Sequence, residues 1–140
     1  MNTQLMFSSN SDEWETPQDL FDKLNEEFKF TMDVAATKEN TKCNVYLEDS
    51  LNKQWEGTCW LNPPYSKGVQ KLFVKKAYEE SLRGVKVVLL IPARTDTKMW
   101  HEYIFPYASD IRFLKGRLKF SNSTNSAPFP SAIVVFGGKT

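Results

Sequence analysis

The sequence is poor in the residues that build metal centres and disulfide frameworks. His101 is its only histidine, and Cys43 and Cys59 are its only cysteines. The two do not form a Cys-x-x-Cys pair, so no structural zinc site is expected and a reduced, cytosolic setting is the default. Long apolar runs are also missing. The longest, Val85 to Ala93, is interrupted by Lys86 and falls far short of the ~18 residues of a membrane span. The N-terminus has no basic stretch followed by an apolar one, which argues against secretion. Internal repeats and Gly- or Pro-rich linkers are absent as well, which leaves one domain.

What is there reads as a soluble globular chain: 140 residues, 41% hydrophobic and 25% charged, enough for a genuine core. Residues 1–13 are polar and expected to form a flexible N-terminal segment, softest at Ser8-Ser9-Asn10-Ser11, ahead of a single domain over 14–140. The net charge of +1 hides an asymmetry. Residues 1–66 carry 5 Lys/Arg against 12 Asp/Glu, whereas residues 67–140 carry 13 against 5. A basic half suits nucleic-acid contact, but two opposite halves can equally neutralise each other on folding.

Helical and strand-like patterns alternate along the chain. Thr16-Pro17 is predicted to open a helix, with Thr as N-cap and Pro in the first turn. Leu20, Phe21, Leu24 and Phe28 then recur at helical spacing. A short strand is expected over Phe30 to Val34, and another over Thr58 to Leu61 after Gly57. A second helix should run from Lys67 or Val69 to about Leu82, burying Leu72, Phe73, Ala77 and Tyr78 or their neighbours, with Gly84 as its stop. The unbroken apolar run Val85 to Ile91 predicts a central strand buried on both faces. Thr97 is placed as the cap of a third helix reaching about Tyr107. Ile111 to Leu114 is a strand that Leu118 to Phe120 would extend, and Ala132 to Phe136 is the last, antiparallel to its neighbour. The pattern is that of an α/β layer fold. In such folds ligands bind beyond the C-terminal ends of parallel strands, here the loops at Asp33, Asn62 and Pro92.

The most informative of these loops is Asn62-Pro63-Pro64-Tyr65. Two prolines remove two N–H donors and fix two φ angles near −65°. An amide side chain, a rigidly held carbonyl and an aromatic face suit the grip of a planar group bearing an exocyclic NH2. A purely structural strand end is the plain alternative. Asp33, at the end of its strand and followed by Ala35-Ala36, is either part of a ligand bed or a turn cap. Arg94, after the most buried strand, can meet a phosphate or a nearby carboxylate. Lys115, Arg117 and Lys119, with Phe113 and Phe120 interleaved, read as a basic ribbon for a nucleic-acid backbone or as a strand with one solvated face.

Taken in order, Trp14-Glu15-Thr16-Pro17, Phe30 to Ala36, Trp60 to Ser66, Leu90 to Thr97 and Gly116 to Phe120 resemble the phage DNA N6-adenine methyltransferase family. The resemblance extends from about Trp14 to Phe136. It implies a compact, trimmed Rossmann-like methyltransferase fold, with a mostly parallel central sheet and an antiparallel C-terminal strand. It also implies S-adenosylmethionine as cofactor and double-stranded DNA as partner, without metal or membrane, in the cytoplasm of a bacterial host. Within it Asn62, Pro63, Pro64 and Tyr65 would be catalytic. The amide of Asn62 and the carbonyl of Pro63 would accept hydrogen bonds from the N6 amino group of a flipped adenine, and Tyr65 would stack on the base. Trp14, Thr16, Pro17, Asp33, Ala35, Ala36 and Asp49 would bind the cofactor. Arg94, Lys115, Arg117 and Lys119 would contact DNA.

The chain departs from the wider class in having Ala35-Ala36-Thr37-Lys38 where a Gly-x-Gly usually follows the first strand. The short spacing from Asp33 to Asn62 also leaves no room for the usual extra strands. The acid that holds the cofactor ribose would then come from elsewhere, with Glu39 and Glu48 as candidates. Other readings keep part of this picture: an RNA adenine or protein glutamine methyltransferase with the same motif, or a non-catalytic nucleic-acid-binding module. A chain this small grips little DNA by itself, which leaves room for a homodimer.

Overall fold

The computed structural model describes residues 14–138; the flexible segment expected over 1–13 lies outside them. Helix α1, Gln18–Phe28, is followed by β1, Met32–Asp33, and a long connection containing a 3-10 turn at Ser50–Asn52. Then come β2, Thr58–Leu61; helix α2, Lys67–Ser81; and β3, Lys86–Pro92. A helical stretch follows, π-helical over Trp100–Ile104 and α-helical over Phe105–Tyr107 (α3). Strands β4, Asp110–Phe113, and β5, Ser131–Phe136, complete the order.

The five strands form one sheet in the order β1-β2-β3-β5-β4. The first three are parallel, and β5 runs antiparallel to both β3 and β4. Pro92 lies opposite Ser131, and Phe113 opposite Ala132. The loops after β1, β2, β3 and β4 therefore all leave at one edge, where β5 also begins. The expected α/β architecture with an antiparallel final strand holds. The sheet is also trimmed: β1 is its margin, met on the outside by a bridge from Tyr46 to Asp33.

The alternation of side chains along each strand builds two cores. Cys59, Leu61, Leu89, Ile91, Val134 and Phe136 face one way, towards Phe73, Val74 and Ala77 of α2 and Trp100. Trp60, Val88, Leu90, Ile133 and Val135 face the other, towards Phe21 and Leu24 of α1 and a group of aromatic rings. All but the first residue of β3 is buried, as its continuous apolar run predicts. Complete burial of each such side chain stabilises by about 1.5–3 kcal/mol. Gly57 is required where it stands: its φ is +74°, and a Cβ there would lie 2.4 Å from the Thr31 hydroxyl.

Four sequence expectations are corrected. Thr16 does not cap α1. Pro17 occupies the N-cap position without a side-chain bond, and its carbonyl receives the Phe21 N–H; the Thr16 hydroxyl is engaged elsewhere. Leu72 is exposed, and Val74 takes the buried place beside Phe73. The third helix runs over 98–107 as expected, but the Thr97 hydroxyl donates back to the Arg94 carbonyl rather than capping the first turn, and the helix widens to π geometry, with the Phe105 N–H reaching back to Trp100. Leu118 to Phe120 is not a strand. Its backbone pairs within its own loop, where the Leu118 carbonyl accepts from Ala127 at 2.7 Å.

Candidate active site and cofactor cleft

A cleft of about 730 Å³ opens at the C-terminal edge of the sheet. Its walls come from the strap Trp14–Thr16, the loop after β1, the turn around Ser50 and the end of β2. Of the proposed cofactor residues, Trp14, Thr16, Asp33, Ala35, Ala36 and Asp49 line it, and Pro17 does not. Asn62, Pro63 and Pro64 line it as well, whereas Tyr65 does not. Glu39 and Glu48, the ribose candidates, are both on its wall.

Asn62 directly follows β2, where the paired prolines leave the chain no N–H with which to continue the ladder. Its Nδ2 donates to the Trp14 carbonyl and, at 3.0 Å, to the Thr16 hydroxyl. A main-chain carbonyl can only accept, so it fixes which way the amide points. Both amide hydrogens are then committed. Oδ1 is left buried and without a partner among the described residues. An orphaned buried acceptor is costly, and this one belongs to a residue of the cleft wall.

Tyr65 is deeply buried. Its hydroxyl donates to the Leu90 carbonyl at 2.9 Å, and burial pushes its phenol far above the usual range. Phe129, tilted at 5.6 Å between ring centres, and Phe120, perpendicular at 6.2 Å, pack beside its ring, and Trp14 packs on both phenylalanines. The ring expected to stack on a base is thus part of an aromatic group, and a base could reach its face only after Phe120 and Phe129 move. Arg94 tops this group, with its guanidinium 5.3 Å from the Phe129 ring centre. Phe129 carried no signal in the sequence beyond being an apolar residue in a polar loop.

Asp33 organises the loop that replaces the glycine-rich turn. Its carboxylate is buried and accepts from the backbone N–H of Ala35 at 3.2 Å and of Lys42 at 2.9 Å. Burial raises its pKa, with those two bonds opposing. Nearby, the buried Ser50 hydroxyl donates to the Val34 carbonyl, and the Trp55 indole donates to the Ser50 carbonyl at 2.9 Å. Ser50, unmarked in the sequence, pins the turn that carries Asp49 to the end of β1. Asp49 itself sits at φ +54° and accepts from the Asn52 amide at 2.8 Å.

Acids dominate the walls of the cleft. Among the described residues Glu15, Asp33, Glu39, Glu48 and Asp49 line it against the single cation Lys42, whose ammonium bonds the Gln18 side chain at 2.9 Å. Five of the twelve acids of residues 1–66 thus line the cleft. Arg94 lies exposed on the loop after β3, and Lys115, Arg117 and Lys119 on the loop after β4, all at the same sheet edge. The basic ribbon is thus a loop rather than a strand, with Phe113 exposed and Phe120 buried. Neither cysteine is a nucleophile in waiting. Burial pushes the Cys43 thiol up to about 11 and the Cys59 thiol up to about 12. No group of three His, Cys, Asp or Glu suited to a metal ion occurs among the described residues, and no described helix is long and apolar enough to cross a membrane.

The chain matches the family model of DNA N-6-adenine-methyltransferase (Dam) over residues 3–135. It belongs to the Dam family. A DNA N-6-adenine-methyltransferase of Haemophilus phage HP1 is 31% identical over 94% of this chain and 82% of its own length. One of Escherichia phage T1 is 30% identical over 92% of this chain, which spans only 56% of that relative. The solved structure of a proposed RNA methyltransferase from Pyrococcus horikoshii superposes with a TM-score of 0.51, at 18% identity, over 78% of this chain and 63% of that one. That likeness establishes a methyltransferase fold. The match to the Dam family spans both the strap and the loops of the cleft.

Proposed function

We propose that this chain transfers a methyl group from S-adenosylmethionine to the N6 amino group of adenine in double-stranded DNA. The observation that carries the proposal is the Asn62 amide, turned so that its oxygen is free and buried at the cleft wall. The names borne by the phage relatives support adenine in DNA as the substrate. The site of action is the cytoplasm of a bacterial host.

The residues of the cleft fit the cofactor. Its volume suits a small-molecule site, and its acidic wall complements the cofactor's sulfonium and ammonium charges. Ala35 and Ala36 offer short side chains where a glycine-rich loop would otherwise allow close approach. Asp49 would accept from the cofactor's adenine amino group, Glu39 or Glu48 from its ribose hydroxyls, and Trp14 would flank its methionine end. Bound there, S-adenosylmethionine supplies an electrophilic methyl group on a sulfonium.

The protein's own part is positioning and charge stabilisation. Asn62 Oδ1 and the Pro63 carbonyl accept the two N6 hydrogens of the target base. This keeps lone-pair density on nitrogen and stabilises the positive charge that develops there. Extruding the base costs a few kcal/mol, which contact with the aromatic group must offset. Stacking on Tyr65 would contribute about 1–3 kcal/mol once Phe120 and Phe129 give way. Lys115, Arg117 and Lys119 hold the phosphates at the same edge, and Arg94 meets the DNA there beside the aromatic group.

The test is incubation with tritiated S-adenosylmethionine and duplex DNA, RNA, or DNA without adenine. Label in adenine-containing DNA alone is expected, at N6 after digestion. Label in RNA alone would replace the DNA assignment. No transfer to any substrate, with no calorimetric binding of the cofactor, would leave a nucleic-acid-binding module instead.

A further inference from the structure

The strap 14–17 touches two things at once. On one side the Trp14 carbonyl and the Thr16 hydroxyl take both hydrogens of the Asn62 amide. On the other side the loop after β4 ties the strap down. Ser121 donates its N–H to the Glu15 carbonyl at 2.9 Å and its hydroxyl to the Thr16 carbonyl at 3.1 Å. Asn122 Oδ1 accepts the Glu15 N–H at 3.0 Å. Thr16 is 2% exposed, so water does not substitute for its hydroxyl.

We infer that Thr16 is a positioning residue that holds the Asn62 amide in its acceptor-forward orientation, and that Ser121 keeps the strap where it can do so. The inference rests on the proposed methyl transfer to an amino group. An Asn side chain is nearly symmetric in shape but not in polarity. Turned over, it would set NH2 against the NH2 of the substrate and its oxygen against the Trp14 carbonyl, two repulsive pairs. Only the fraction of molecules with Oδ1 forward is competent, and the observed rate scales with that fraction. The carbonyl sets the sense of the amide. The Thr16 hydroxyl accepts its second hydrogen, which would otherwise be buried and unpaired. Ser121 acts one step further out, because losing its two bonds frees the strap that carries both acceptors.

The strap also joins loops far from it in sequence: the Asn62 amide reaches Thr16 across 46 positions, and the hydroxyl of Ser121 reaches it across 105. Ser121 stands beside the loop that carries Lys115, Arg117 and Lys119. The orientation of the amide is therefore mechanically tied to the segment that meets DNA.

The experiment compares wild type with Thr16→Val, Thr16→Ser and Ser121→Ala. Thr16→Val keeps the shape and removes the acceptor. It should lower kcat by about tenfold with little change in the calorimetric Kd for S-adenosylmethionine. Thr16→Ser should restore the rate, and Ser121→Ala should show a smaller loss of the same kind. Undiminished kcat in Thr16→Val would overturn the inference. A loss seen only as weaker cofactor binding would also overturn it, and would make Thr16 a cofactor contact instead. A second readout does not depend on turnover. The Asn62 side-chain NH2 signals, assigned by their loss in Asn62→Ala, should exchange slowly with solvent in the free protein and faster in Thr16→Val. Equal exchange in both would refute the inference even if wild type failed to methylate DNA, a failure that would strike the proposed activity alone.

Discussion

The Asp33 carboxylate accepts a hydrogen bond from the backbone N–H of Lys42, nine residues further along the chain, at 2.9 Å. Its other oxygen takes the Ala35 N–H at 3.2 Å. One buried acid thus shapes the loop that stands where related enzymes place glycines. In Asp33→Asn one side-chain oxygen becomes an NH2 and can no longer accept, so one of the two backbone bonds is lost. The expected result is weaker cofactor binding and faster hydrogen exchange across residues 35–42, with the fold retained.

The same residue makes a prediction about pH. Burial raises the Asp33 pKa in the folded state, so the folded protein holds this proton more tightly than the unfolded chain does. Its contribution to stability is greatest below the usual carboxylate range and declines as pH rises through the raised value. Denaturant midpoints of wild type and Asp33→Asn, measured from pH 4 to pH 7, should show wild type losing ground to the variant as pH increases. A difference that is flat or opposite in slope would mean that Asp33 is not held in this way.

Asn62→Ala removes the unpartnered acceptor on which the proposed transfer rests, while leaving the acids of the cleft in place. Transfer should fall by at least about a hundredfold, with cofactor affinity nearly unchanged by calorimetry. Full activity in the variant would show that the tetrapeptide ends a strand and does nothing more.

Sequence pattern reveals an interaction when its partners are near in sequence or when burial is uniform. Strand β3 was legible because both of its faces are covered, so no polar residue interrupts it. The edge at Asn62 was legible because two prolines can do little else than end a strand. The role of Thr16 was not, since a Thr before Pro has the same local form whether it caps a helix or meets Asn62, 46 residues away. Ser121 sits in a loop of Ser, Asn and Pro, where nothing local marks one hydroxyl as engaged. Leu118 to Phe120 alternates like a strand, yet Phe120 is buried against Trp14 and Tyr65, and that packing overrides the pattern. Tyr65 was legible as a residue of the motif, but the rings that cover it come from a loop more than 50 residues later.

Glu80 connects α2 to the chain before β2, where its carboxylate accepts the Trp55 N–H at 2.8 Å and pairs with Lys76 at 3.2 Å and with Arg83. Burial raises its pKa, but the Trp55 bond and the two cations outweigh that and leave it lowered. A lowered acid stabilises the fold above the usual carboxylate range, and that stability is lost as pH falls through its folded value. Glu80→Ala strands the Trp55 N–H in the core and should cost about 1–3 kcal/mol at neutral pH. Urea melts should show this gap narrowing in acid.

The exposed cations at the sheet edge divide into two kinds. Lys115, Arg117 and Lys119 stand on a loop and should act as phosphate contacts. Each change to Ala should weaken DNA binding across all sequences and reduce the slope of log K against log salt by about 1. Arg94 is different, because its guanidinium lies over Phe129, in the aromatic group that covers Tyr65. A lysine there keeps the charge but presents no planar face. Arg94→Lys should therefore preserve the salt slope and lower kcat, whereas Lys119→Ala should reduce the slope and spare kcat at saturating DNA. Fluorescence anisotropy over a salt series, paired with single-turnover transfer, separates the two. An Arg94→Lys variant that kept both slope and rate would place Arg94 among the phosphate contacts and take it away from the base.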